Sequence, residues 1–286
     1  MQSIFGTDGI RGKFNELITY DLAKKIGYAF GKSLKKDAPI LIGRDPRESG
    51  FLILDALTNG LNLANKNIID VGICPSPAVP FLIKRLDCSS GIMISASHNP
   101  PEYNGLKFFD QYGKKLKRNH EKNLEQTIQK EIKLDQPITK IKNNLRNTGL
   151  LELYENSLIQ SIGNENLDGI NIILDTCHGS ATSCAEKIFK KLGANIKVIN
   201  SQADGSKINV KCGSTCLIPL KKAIHLFNAE IGFSFDGDAD RVIGIDSEEN
   251  ILDGDHILFL WGRELMRENN LSRNLLITTV MSNLGF

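Results

Sequence analysis

Short apolar runs alternate with amphipathic segments along most of this chain, and that alternation limits the fold more than any other feature. Pro39-Ile-Leu-Ile-Gly43, Asn67-Ile-Ile-Asp-Val-Gly72 and Gly91-Ile-Met-Ile94 each read as a short buried strand. Thr19 can cap a helix whose apolar positions Leu22, Ile26, Phe30 and Leu34 recur at helical spacing. Ser49 can cap a second helix, with Leu52, Ala56, Leu57 and Leu61 along one side, and a third covers Ala78 to Arg85. Strands this short, separated by helices, argue for a parallel or mixed sheet covered on both faces.

A polar stretch, Lys140 to Thr148, reads as a linker, and a second unit of the same kind follows it. Its helices are predicted over Leu150–Ile162, Ala181–Leu192 and Leu217–Phe227. Its strands are predicted over Ile170–Leu174, Ile196–Ile199, Ile231–Phe235 and Val242–Asp246. A third unit has one helix, His256–Arg267, and one strand, Leu275–Val280. A helix and a strand bury too little apolar surface to offset chain entropy, so the chain is expected to stop inside a domain. The predicted class is α/β: two complete mixed-sheet α/β domains, residues 1–148 and 149–252, plus the start of a third over 253–286.

Bulk properties exclude several functions. Thirty-five Lys and Arg against 33 Asp and Glu leave a net charge of +2, too balanced to point to nucleic acid or an anionic membrane as partner. The opening residues Met1-Gln-Ser-Ile-Phe-Gly-Thr-Asp8 have neither the basic nor the apolar region of a signal peptide. No apolar stretch reaches the ~20 residues of a membrane span. The six cysteines form no C-x-x-C pair and read as reduced thiols of a cytoplasmic protein. A zinc site from Cys212, Cys216 and a distant histidine is the alternative use for two of them.

Two loops carry the chemistry. Asp236, Asp238 and Asp240 follow the run Ile231-Gly-Phe-Ser-Phe235. Alternate residues of extended backbone point the same way, so three carboxylates can converge on one hard cation. Gly237 is expected to let this loop turn tightly. Oxygen donors without Cys or His favour Mg²⁺ over zinc. Some 140 residues earlier in the chain, Ser97 lies on a polar turn just after a predicted strand. Alone, it reads equally as a turn or cap serine. His98 is either a general base or a turn residue. Arg11, Lys107 and Arg241 are the cations able to balance phosphate and carboxylates, Arg through paired donors and Lys as a compact charge. The glycine-rich Phe5-Gly-Thr-Asp-Gly-Ile-Arg-Gly12 can bring backbone N–H groups to an anion but lacks the Walker pattern.

Five segments, in this order, resemble the α-D-phosphohexomutase superfamily: Phe5–Gly12, Gly43-Arg-Asp-Pro-Arg-Glu-Ser-Gly50, Ile94-Ser-Ala-Ser-His-Asn-Pro100, Asn104-Gly-Leu-Lys-Phe-Phe109 and Asp236-Gly-Asp-Ala-Asp-Arg241. Ile208-Asn-Val-Lys-Cys-Gly-Ser-Thr215 and Thr279-Val-Met-Ser-Asn-Leu-Gly285 are similar to the phosphoglucosamine mutase subfamily. The resemblance implies a phosphoserine at Ser97 and one Mg²⁺ held by that phosphate with Asp236, Asp238 and Asp240. Arg11 and Arg241 would bind substrate phosphate, and Lys107 or His98 would move a proton. The implied reaction interconverts glucosamine 6-phosphate and glucosamine 1-phosphate through a hexosamine bisphosphate, on the route to UDP-N-acetylglucosamine.

Phosphomannomutase or phosphoglucomutase activity is the enzymatic alternative. A non-catalytic Mg²⁺- or sugar-phosphate-binding fragment is the alternative of another class. The family's third-domain sugar loop and fourth-domain phosphate loop are missing, and Cys216 stands where the subfamily usually has His. This chain is therefore expected to bind Mg²⁺ and to turn over substrate weakly or not at all.

Overall fold

The computed structural model describes residues 4–130, 144–283 and 285. Its strands are β1 (Ile10–Lys13), β2 (Ile40–Arg44), β3 (Ile68–Ile73), β4 (Ser90–Ile94), β5 (Tyr103–Phe109), β6 (Asn144–Arg146), β7 (Asn171–Asp175), β8 (Asn195–Ile199), β9 (Ile231–Phe235), β10 (Val242–Asp246) and β11 (Ile251–Leu252). Its α-helices are α1 (Tyr20–Ser33), α2 (Ser49–Leu63), α3 (Ala78–Arg85), α4 (Arg118–Gln129), α5 (Leu151–Ser161), α6 (Ala185–Lys191), α7 (Ile218–Phe227) and α8 (Gly254–Arg267). No described helix is long and apolar enough to cross a membrane.

Two mixed sheets result. The first has the order β1-β5-β4-β2-β3-β6, and the second β11-β10-β9-β7-β8. In the first, β4, β2, β3 and β6 run parallel, β5 is antiparallel to both its neighbours, and β1 runs in the same direction as β4. In the second, β8, β7 and β9 run parallel, β10 is antiparallel to both its neighbours, and β11 runs in the same direction as β9.

The two-residue period of a strand divides the core of the first unit. Ile40 and Ile42 of β2, with Ile92 and Ile94 of β4, face a cluster that includes Ile26, Phe30, Ile53 and Leu57 of α1 and α2. Leu41 and Met93 face the opposite cluster with Val79, Leu82 and Ile83 of α3. Phe30 packs on Phe108 with ring centroids 5.0 Å apart, so truncation to alanine is expected to destabilise by about 3–5 kcal/mol. The second cluster also takes Leu151 of α5 and Ile188 of α6, so apolar packing is continuous between the two units. That continuity holds the ends of β4 and β9 together, where the chemistry lies.

Local expectations met different fates. Thr19 caps α1 by accepting from Leu22 N at 3.2 Å. Ser49 does not cap α2. Glu48 holds that position without a side-chain bond, and Ser49 Oγ instead accepts from Asn104 Nδ2 at 2.8 Å. The predicted linker lies partly outside the described residues, and its later part forms β6, paired with β3. The helix predicted over 181–192 divides into a 3-10 turn, Ser180–Ser183, and α6. No strand forms over Leu275–Val280. The segment has no ladder partner here, and Leu275, Ile277 and Val280 are exposed.

Candidate functional site

β4 delivers the serine turn. Ser97 has φ +52°, a left-handed conformation that only surrounding bonds sustain in a non-glycine residue. Its N–H donates to Ser95 Oγ at 2.8 Å, and that hydroxyl donates to Asp45 Oδ2 at 2.7 Å. Arg47, 0% exposed, supplies most of the remaining bonds. Its Nε donates to Asp45 at 3.0 Å, and its Nη2 to Ser97 O at 2.9 Å and Asn99 O at 2.8 Å. Its Nη1 donates to Tyr103 O at 2.9 Å and also to Pro100 O. Only the five-donor planar fork of an arginine serves so many carbonyls at once. Burial pushes the Asp45 carboxyl above its ordinary range, and the Arg47 charge opposes that.

β9 delivers the acidic turn. Asp236 organises it by accepting from Arg241 N at 3.2 Å through Oδ1, while its carbonyl accepts from Ala239 N at 3.0 Å. The left-handed residue of the turn is Ala239, with φ +54°, rather than Gly237. Gly237 is needed for clearance instead. A β-carbon there would lie 2.6 Å from Ser97 O and 2.8 Å from Asn209 Nδ2.

The two turns meet. Ser97 Oγ donates to Asp236 Oδ2 at 2.6 Å and accepts from Arg241 Nη2 at 2.7 Å. His98 Nδ1 lies 3.5 Å from Ser97 Oγ and also contacts the Arg241 guanidinium. Lys107, on β5, places Nζ 2.6 Å from Asp238 Oδ2 and 2.7 Å from Asp240 Oδ2. Arg11 donates to Asn99 Oδ1 at 3.1 Å and pairs with Asp8 at 3.5 Å. Arg11, His98 and Arg241 line one cleft of about 690 Å³ with Gly6, Thr7 and Asp8.

The eight side chains singled out from the sequence thus converge on one place. Four others there had no assigned role. Asp8 pairs with Lys107 at 3.5 Å and with Lys115. Ser76 donates to Asp238 Oδ2 at 2.5 Å. Asn209 donates to Ser97 O at 2.8 Å and Asn99 O at 3.0 Å. Arg47 is the fourth. Asp8, Arg47 and Asn209 stand inside the motif segments, and that was their signal. Ser76 has none.

Charges at this junction are strongly perturbed. Burial works against a charged Lys107, but Asp238 and Asp240 outweigh it and raise the ammonium well above its ordinary value. Burial, with the Asp238 charge beside it, lifts Asp236 to about 6. Burial and the Arg241 and Arg11 charges lower His98. Burial would raise Asp8, but Lys115, Lys107 and Arg11 hold it below the usual range.

The acidic turn suits a hard divalent cation. One oxygen from each of Asp236, Asp238 and Asp240 lies within 4.8 Å of the others. Asp238 Oδ1 is buried and has no hydrogen-bond partner among the described residues, so a ligand oxygen is free to take a metal. Among the described residues, Asp236, Asp238 and Asp240 form the one cluster able to hold a metal, and Cys212 and Cys216 belong to none. Cys212 Sγ lies 4.0 Å from Cys177 Sγ.

The model for phosphoglucomutase/phosphomannomutase alpha/beta/alpha domain I matches residues 2–135, and that for domain II matches residues 152–249. This chain belongs to the phosphoglucomutase/phosphomannomutase family. A phosphoglucosamine mutase of Prochlorococcus marinus (strain MIT 9215) is 61% identical over 289 residues, covering 100% of this chain and 64% of the relative. The chain therefore spans about 64% of the length of that curated relative. A phosphoglucomutase/phosphomannomutase family protein of Burkholderia thailandensis has a TM-score of 0.78 at 27% identity, covering 94% of this chain and 60% of that one. A phosphoglucomutase, pp63/parafusin, from Paramecium shares the fold, with a TM-score of 0.70 at 18% identity over 91% of this chain and 55% of that one.

Proposed function

We propose that this chain supplies the phosphoryl-carrying and metal-binding parts of a phosphoglucosamine mutase. The observation that carries the reading is the position of Ser97 Oγ, 2.6 Å from a carboxylate of the acidic turn and 2.7 Å from Arg241. A serine so placed can hold a phosphoryl group beside a cation site and an arginine fork. Phosphoryl transfer depends chiefly on such alignment and charge neutralisation.

In this reading Ser97 carries the phosphoryl group. A hydroxyl oxygen of glucosamine 6-phosphate attacks the phosphorus, the bond from phosphorus to Oγ breaks, and the hydroxyl proton passes to His98, because Lys107 already holds its proton beside Asp238 and Asp240. The resulting bisphosphate turns over in the cleft. Oγ then attacks its 6-phosphate, the bond from that phosphorus to the sugar O6 breaks, and O6 takes the proton back from His98, releasing glucosamine 1-phosphate and restoring the phosphoserine. Arg241 steadies Oγ as charge moves on and off it, while Arg11, on the cleft wall, binds the substrate phosphate. Mg²⁺, held by Asp236, Asp238 and Asp240 with the Ser97 phosphate, would neutralise charge on the transferred group.

Identity of 61% to a phosphoglucosamine mutase favours the amino sugar over glucose or mannose. The product then belongs to the route to UDP-N-acetylglucosamine, in the cytoplasm. Single-turnover discharge of the phosphorylated chain separates these readings. Glucosamine 6-phosphate should remove the phosphate faster than glucose 6-phosphate or mannose 6-phosphate. Faster discharge by mannose 6-phosphate refutes the sugar assignment. No discharge by any of the three favours a binding fragment.

A further inference from the structure

Asn209 bonds to the serine turn and lies beside the acidic one, its Nδ2 2.8 Å from where a β-carbon on Gly237 would stand. It lies on the segment after β8 with φ +61°, a conformation that asparagine tolerates better than most residues. Its Oδ1 accepts from Cys177 Sγ at 3.0 Å, which fixes the amide orientation. Its Nδ2 then donates to Ser97 O at 2.8 Å and Asn99 O at 3.0 Å. Arg47 binds the same two carbonyls from the serine's own sheet unit, at 2.9 and 2.8 Å. The serine loop is therefore held twice, once by each unit.

The two holds differ from the contacts around them. Ser97–Asp236, Arg241–Ser97 and Lys107–Asp238 all end on side chains whose charge or partners change when the serine oxygen gains a phosphate. Asn209 binds backbone carbonyls, which keep their charge throughout. We infer that Asn209 is a positioning residue that keeps the Ser97 turn in register with the acidic turn as the serine oxygen passes between neutral and phosphorylated forms. The inference rests on Ser97 being the phosphoryl carrier.

Two variants test it. Asn209→Gly removes the amide and accepts the left-handed backbone without strain. Asn209→Asp keeps the shape but turns an oxygen toward two carbonyls. The rate of Ser97 phosphorylation by glucose 1,6-bisphosphate with Mg²⁺ is followed by intact mass at several bisphosphate concentrations, and Mg²⁺ affinity is measured by calorimetry. Both variants should lower the maximal rate by roughly ten- to a hundredfold, the scale of a small misplacement. The bisphosphate concentration giving half that rate should stay constant, and Asn209→Gly should leave Mg²⁺ affinity unchanged. A maximal rate equal to wild type in both variants overturns the inference alone. Parallel loss of Mg²⁺ affinity and thermal stability in Asn209→Gly also overturns it, by showing a general structural role. No phosphorylation of wild-type Ser97 overturns the mutase reading and this inference together.

Discussion

A β-carbon on Gly237 would stand 2.6 Å from the carbonyl oxygen of Ser97, closer than real side chains approach backbone oxygens. The acidic turn and the serine turn, 140 residues apart in sequence, are thus in direct backbone contact. The contact makes the serine hydroxyl and the Asp236 carboxylate neighbours.

Gly237→Ala should therefore separate the turns. Overpacking of this kind destabilises by about 1–3 kcal/mol. Thermal denaturation should show the loss, and calorimetry should show weaker Mg²⁺ binding. Unchanged stability and Mg²⁺ affinity would mean that the turns are not pressed together.

Arg47 is the second structural dependence. Arg47→Ala strands the buried Asp45 carboxylate and takes one donor from each of four carbonyls, so about 3–5 kcal/mol of stability should be lost in urea denaturation. Arg47→Lys keeps the charge but not the fork, and should fall between wild type and alanine. Equal stability of the lysine variant and wild type would contradict the bonding described.

The sheet framework was legible where strands are short apolar runs with clear ends. β2, β3, β4, β7, β8, β9 and β10 lie within a residue or two of their predicted places. The antiparallel pair β1 and β5 was not. β1 and β5 mix glycine and charged residues into their ladders, as Gly12, Gly105 and Lys107 show. Leu275–Val280 has the right composition, but a strand requires a neighbour to pair with. At the site, the spaced aspartates ending in Arg241 carried their own signal, whereas Ser97 and Lys107 read alone as a turn serine and a surface charge and were singled out by the family resemblance. The supports were hidden, because Arg47 and Asn209 act on carbonyls 50 to 112 residues away. Ser76 reaches Asp238 across 162 residues, and no local pattern encodes that contact.

Lys107 is only 4% exposed and answers two carboxylates. Lys107→Met leaves Asp238 and Asp240 without that cation. Without Mg²⁺ the variant should melt below wild type, and added Mg²⁺ should raise its midpoint more than that of wild type. Equal Mg²⁺-induced shifts in the two proteins would argue against a cation site at the aspartates.

The thiols make a simple check on packing. Cys74, Cys88, Cys177, Cys184 and Cys212 are buried, and Cys216 is partly exposed. Burial pushes the Cys74 thiol up to about 12, and Cys88 and Cys184 to about 11. A disulfide reagent at pH 8 should modify one thiol quickly, Cys216, and the rest only after denaturation. Rapid reaction of several native thiols would contradict the fold.

The central claim is that Ser97 carries the phosphoryl group, and mass spectrometry addresses it most directly. After incubation with glucose 1,6-bisphosphate and Mg²⁺, intact mass should show one added phosphate, mapped to Ser97 by peptide sequencing. Ser97→Ala should abolish it and Ser95→Ala should not. Phosphate on Ser95, or no phosphate on wild-type protein, would contradict the account.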